Sequence, residues 1–137
     1  MFKNIVVPVD LAHQEQLERA LSVAADLAKH YSADLHYVGV TTGTPGPVAH
    51  NPAEYADKLA AFAKQQGDKQ GVDIKAHAYS SHDPAVDLDE TLMKAMSELG
   101  ADLAVMGSHK PGLPEHIFAS NAGYLASHAT ISVMVVR

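Results

Sequence analysis

Short apolar runs alternate with segments of helical periodicity from one end of this chain to the other. The first helix is predicted from Gln14 to Ser32, where apolar residues recur at helical spacing from Leu17 to Tyr31, and the pattern returns from Tyr55 to Ala63. Such alternation is typical of repeated βα units around a parallel sheet. It predicts four crossover helices and five strands. The predicted strands are Ile5–Val9, Leu35–Thr41, Val72–Tyr79, Leu103–Met106 and Ser132–Arg137.

The polarity of individual strands predicts their order in the sheet. Val72–Tyr79 alternates apolar and polar residues, as expected at a sheet edge, whereas Leu103–Met106 is apolar throughout, as expected in the interior. A chain that winds outward through three strands and then returns beside the first gives the order 3-2-1-4-5 when its crossovers are right-handed. We therefore expect one doubly wound, Rossmann-like α/β domain that spans residues 1–137.

Composition and charge argue against several classes of protein. With 47% hydrophobic and 19% charged residues, the 137-residue chain resembles an ordinary globular domain, and runs such as Val133–Val136 are too short to cross a bilayer. The net charge of −6 and the scattered basic residues argue against nucleic-acid binding. Met1–Asn4 leads into a strand without a secretory signal, and cysteine is absent, so we expect a cytoplasmic protein.

The predicted reversal between strands one and four indicates where a ligand would bind. Open α/β sheets bind ligands beyond the carboxyl ends of the strands at this point, where Asp10 and Gly107-Ser108 follow their strands. A loop with hydroxyl and ammonium groups, followed by a helix that opens at Ser120-Asn121, suits an anion such as phosphate. Two alternatives stay open: Asp10 contacts a ligand or caps the next turn, and Ser120 binds phosphate or is an ordinary helix cap.

Three segments resemble the universal stress protein family: Val7–Asp10, Ala101–His109 and Ser132–Arg137. The family's nucleotide-binding members carry G-x2-G-x9-G-[S/T] after strand four, and here only Gly107 keeps its place. Lys110 replaces the second glycine, and Ala119 stands for the third in a loop that is one residue shorter. Lys110-Pro111 is similar to the family's F/G branch, which still binds ATP.

The resemblance implies ATP or AMP as the ligand, with Mg²⁺ or Mn²⁺ carried by the phosphates. The residues implied to bind the nucleotide, in which Val40 would offer its backbone to adenine, are Pro8, Val9, Asp10, Val40, Gly107, Ser108, His109, Lys110, Ala119, Ser120 and Asn121. The implied function is that of a stress-response regulatory protein. Loss of the motif glycines keeps open an alternative, a homodimeric interaction protein that binds no nucleotide.

Neither a catalytic set nor a dedicated metal site is expected. The nine histidines form no H-x-x-x-H or H-E-x-x-H motif, and no cysteine supports them. No base is evident that would activate water, so we expect at most slow ATP hydrolysis. A hydrolase that uses His109 or His116 is a further alternative, although no nucleophile-base pair is visible.

The last strand predicts a homodimer. Ser132–Arg137 is an apolar run with no later segment to cover its outer edge, and pairing with a second copy would bury that edge. The family resemblance implies the same assembly.

Overall fold

The computed structural model describes residues 1–107 and 117–137, except for the side chains of Ala85 and of residues 117–121. Strands and helices alternate as predicted. The strands are β1 (Asn4–Pro8), β2 (Asp34–Thr41), β3 (Ile74–Ser80), β4 (Leu103–Gly107) and β5 (Ser132–Val136). The α-helices are α1 (Glu18–Tyr31), α2 (Pro52–Gln70), α3 (Pro84–Glu98) and α4 (Ile117–His128).

The five strands form one parallel sheet in the order β3-β2-β1-β4-β5, which confirms the predicted topology. β4 is buried along its apolar run, and β3 lies at an edge where exposed and partly buried residues alternate. β5 is the other edge strand, as the sequence predicted.

Two apolar layers hold the helices against the sheet. On one face Ile5 and Val7 of β1 pack with α1 and α2, and on the other Val6 packs with α3 and α4. The alternation of side chains along each strand divides the core in this way. The helices therefore cover both faces and leave the carboxyl ends of the strands as the place for a crevice.

Two helix boundaries differ from the sequence prediction. A 3-10 helix, Leu11–Gln16, precedes α1 because the Asp10 side chain caps a tighter turn there. The prediction that α4 opens at Ser120-Asn121 was wrong, since α4 begins at Ile117. Ser and Asn favour a cap where a helix ends, but Ile117 to Ala119 contain no breaker, so the helix extends through them.

No helix within residues 1–107 and 117–137 has both the length and the apolar character that a membrane span requires.

Candidate functional site

The carboxyl ends of β1 and β4 lie side by side at the reversal of the sheet. These strands pair in parallel with Ile5 opposite Leu103, so Pro8 and Gly107 end them at the same edge. Beyond Pro8 the chain follows β2 for one more residue, because the Val9 amide donates to the Val38 carbonyl at 2.8 Å. The structure thus places Asp10 and Gly107 at one edge of the sheet, as the sequence predicted.

Asp10 caps the 3-10 helix. Its Oδ1 accepts from the Ala12 amide at 3.0 Å, and its Oδ2 accepts from His13 Nδ1 at 2.8 Å. The side chain is 16% exposed, so the carboxylate still reaches solvent. An ionised carboxylate has about four lone-pair sites, so the cap leaves capacity for a ligand donor. Its capping role is shown, whereas its contact with a nucleotide remains a prediction.

Tyr55 of α2 is a neighbour of this edge that the sequence reasoning missed. The tyrosine is 5% exposed, and burial first, then the negative charge of Asp10, raises its pKa. Its hydroxyl occupies the space that a Cβ at Gly39 would fill. No local spacing links Tyr55 to either residue. His13, by contrast, is three residues from Asp10, and that spacing was a usable signal.

Gly107 fits closely against the start of α1. A Cβ at this position would lie 3.1 Å from Leu17 Cδ2 and 3.8 Å from Ala20 Cβ. A packing need therefore accounts for part of its small size, beside the close ligand approach that the sequence predicted.

The remaining predicted residues contribute in different ways. Pro8 and Val9 are buried, and Val40 packs on the second core layer, so the main chain is what these residues offer a ligand. Ala119, Ser120 and Asn121 lie in the first two turns of α4. The predicted contacts of Ser108, His109 and Lys110 lie outside the described residues. The part of the candidate site that the structure describes is therefore the rim formed by the carboxyl ends of β1, β2 and β4.

Metal-binding clusters of three or more His, Cys, Asp or Glu side chains do not occur in the described ranges. The polar side chains described at this rim include those of Asp10, His13 and Tyr55.

A parallel sheet ordered 3-2-1-4-5, covered by helices on both faces, defines a doubly wound, Rossmann-like α/β protein. Within that class the chain belongs to the universal stress protein family, whose model matches residues 1–137. Among curated relatives, universal stress protein G of Escherichia coli O157:H7 is 26% identical, and the match covers 100% of both chains.

Solved structures share the fold. A universal stress protein from Archaeoglobus fulgidus superposes with a TM-score of 0.73 at 22% identity over 100% of both chains. A universal stress protein from the same organism in complex with dAMP has a TM-score of 0.69 at 20% identity, with 98% of each chain covered. Further structures of this fold are complexes with cAMP and, for an Arabidopsis thaliana protein, with AMP.

Proposed function

We propose that this protein binds an adenine nucleotide, ATP or AMP, at the reversal of the sheet and acts as a stress-response regulator. The observation that carries the proposal is the position of Asp10 and Gly107 at the adjacent carboxyl ends of β1 and β4. Solved proteins of the same fold bind dAMP, cAMP or AMP, which supports the ligand class.

Each half of the nucleotide has its own partners in this proposal. Asp10 accepts a hydrogen bond from the adenine amino group or a ribose hydroxyl, and Val40 offers its main chain to the base. Gly107, Ser108 and Lys110, with the start of α4, receive the phosphates, and Mg²⁺ or Mn²⁺ binds through the phosphate oxygens. Because the sequence offers no evident base to activate water, we expect the protein to hold ATP or to hydrolyse it slowly, and to work in the cytoplasm.

The test begins with acid extraction of the purified protein and chromatography of the released nucleotides. ATP and AMP are then titrated into the wild type, Asp10→Ala and Asp10→Asn; the last keeps an oxygen for the Ala12 amide. We expect saturable binding by the wild type and weaker binding by both variants. Asp57→Ala, which removes an exposed carboxylate from α2, serves as the matched control and should bind like the wild type.

A wild type that releases no nucleotide and binds neither ATP nor AMP would contradict the proposal. The second candidate, a homodimeric interaction protein, would then be preferred. The observation that favours it is the exposed apolar edge of β5, where Met134 is 38% and Val135 is 41% exposed. Homodimerisation through Ser132–Arg137 is also part of the main proposal, since nucleotide binding and edge pairing use different parts of the sheet.

A further inference from the structure

Two histidines that are distant in sequence meet on the sheet. Nδ1 of His36 on β2 lies 3.0 Å from Nε2 of His77 on β3, with the ring centroids 5.1 Å apart and the planes tilted by 35°. His77 pairs with Val38, so the contact runs diagonally across the two strands. His36 is 5% exposed, while His77 is partly buried on the edge strand. The two rings are thus in hydrogen-bond contact, and His77 is the more accessible of the two.

The first ring also contacts β1. Nε2 of His36 lies 3.4 Å from Oδ1 of Asn4, and an amide oxygen only accepts, so this contact favours the tautomer with the hydrogen on Nε2. In that tautomer, Nδ1 of His36 presents its lone pair to His77. Metal-bound histidines usually donate their other N–H to an oxygen in the same way, which fixes the ring and raises the basicity of the ligand nitrogen.

The separation of the two nitrogens is close to that of a chelate. Two nitrogens that each lie about 2.0–2.1 Å from a tetrahedral zinc ion are about 3.3–3.4 Å apart. The nitrogens lie 3.0 Å apart in the structure, so a small rotation of the rings is needed to turn both lone pairs toward one ion. The ion would then bind beside the line that joins the nitrogens, and the hydrogen bond between the rings would be lost.

The charges beside the pair bear on whether a cation can approach it. The Lys75 ammonium would oppose a cation, but it is exposed and pairs with Asp34 at 3.3 Å, which reduces its effect.

We propose that His36 and His77 form a two-histidine site for a divalent late transition-metal ion such as Zn²⁺, with solvent completing the coordination. Imidazole suits zinc, copper and nickel, whereas Mg²⁺ prefers oxygen ligands. On binding, the hydrogen on Nε2 of His77 moves to Nδ1 of the same ring, and the freed lone pair binds the ion. Within the described ranges no third His, Cys, Asp or Glu side chain completes a cluster, so the two histidines are the protein ligands in this proposal.

This site is separate from the proposed nucleotide site. His36 lies near the amino end of β2, and the strand continues to Thr41 at its carboxyl end, which is the end of the sheet where the proposed nucleotide site lies. At about 3.3 Å per residue, that distance along the strand is roughly 16 Å. Metal binding is therefore expected without any nucleotide, and the failure of one proposal leaves the other standing.

The test uses the full chain, prepared without an affinity tag and stripped with chelator. Zn²⁺ is titrated calorimetrically, with Mg²⁺ as a second ion, into the wild type, His36→Gln and His77→Gln. We expect one saturable Zn²⁺ site per chain, no corresponding Mg²⁺ site, and loss of the Zn²⁺ site in both variants. Asn4→Ala should weaken Zn²⁺ binding about 10-fold or more, because the ligand ring is no longer oriented.

His30→Gln and His50→Gln are matched controls, since each removes an exposed histidine elsewhere, and both should keep the wild-type affinity. In NMR spectra of the wild type, Zn²⁺ should shift the ring signals of His36 and His77. Unchanged Zn²⁺ affinity in His77→Gln, or no saturable binding by the wild type, would overturn the proposal. His77 lies on an edge strand, so its variant stays informative even if His36→Gln fails to fold.

Discussion

Gly39 is a residue at which one methyl group should disturb both the core and the rim of the proposed nucleotide site. A Cβ there would overlap the Tyr55 hydroxyl and lie 3.1 Å from Leu59 Cδ2. We expect Gly39→Ala to lower the free energy of unfolding by about 1–3 kcal/mol, because a well-packed core resists added volume. Urea denaturation measures the change. Gly43→Ala is the control: a Cβ at Gly43 meets nothing within 4 Å, and it should change stability little.

The histidine pair should make the protein less stable in acid. Burial, then His77 and Lys75, lower the pKa of His36 below 6.5, with Asp34 opposing; burial and Lys75 lower that of His77. Two further polar groups lie near the pair: Asn4 of β1 contacts His36, and Glu98 of α3 accepts a hydrogen bond from Tyr79, which follows His77 on β3. The unfolded chain therefore takes up protons more readily, so the free energy of unfolding should fall as pH drops below about 6.5.

Urea titrations of metal-free protein between about pH 7.5 and pH 5 measure this dependence. His77→Gln removes one of the titrating rings, so its stability should decline less steeply over the same range. An equally steep decline in the variant would show that other groups carry the acid sensitivity.

At the scale of elements, α1 ends in a conformation that its sequence does not favour. Its C-cap, Ser32, has φ 53°, whereas α2 ends at Gly71 with φ 70°. A side chain in this left-handed region costs about 1–2 kcal/mol, and glycine avoids that cost. We expect Ser32→Gly to raise the free energy of unfolding by about 0.5–1 kcal/mol in denaturant titrations.

The matched control is the same substitution inside the same helix. Ser22 lies within α1, where glycine is the poorer helix former, so Ser22→Gly should lower stability by about 0.5 kcal/mol. If both substitutions lowered stability, the backbone at Ser32 would not be the source of the effect.

At the scale of the whole molecule, the open β5 edge is the feature that calls for a second copy. Val135 is 41% exposed, and a charge on an edge strand discourages pairing with another chain. We expect Val135→Lys to shift a wild-type dimer toward the 14.6 kDa monomer in light scattering at micromolar concentration. Val86→Lys on α3, where the valine is 74% exposed, should leave the dimer intact. A wild type that is itself monomeric would contradict the prediction.

The sequence by itself determined the strand order and the end of the sheet at which Asp10 and Gly107 lie. Strands buried on both faces are largely apolar, whereas edge strands often alternate, so the contrast between Val72–Tyr79 and Leu103–Met106 separated an edge strand from an interior one. Right-handed crossovers then gave the strand order. The order in turn placed Asp10 and Gly107 at the same edge. The resemblance to the family's motifs led to the prediction that the ligand is an adenine nucleotide, and that prediction remains part of the proposed function.

Only the tertiary structure decided which side chains meet across elements. Tyr55 reaches Gly39, and His36 reaches His77, through strand register and helix packing that no local spacing records. The extension of α4 to Ile117 was missed for a related reason, since a capping residue signals a possible helix end, and the rest of the fold decides whether the helix ends there. Periodicity is encoded locally in a chain, whereas contacts between its elements depend on how the whole sheet is assembled.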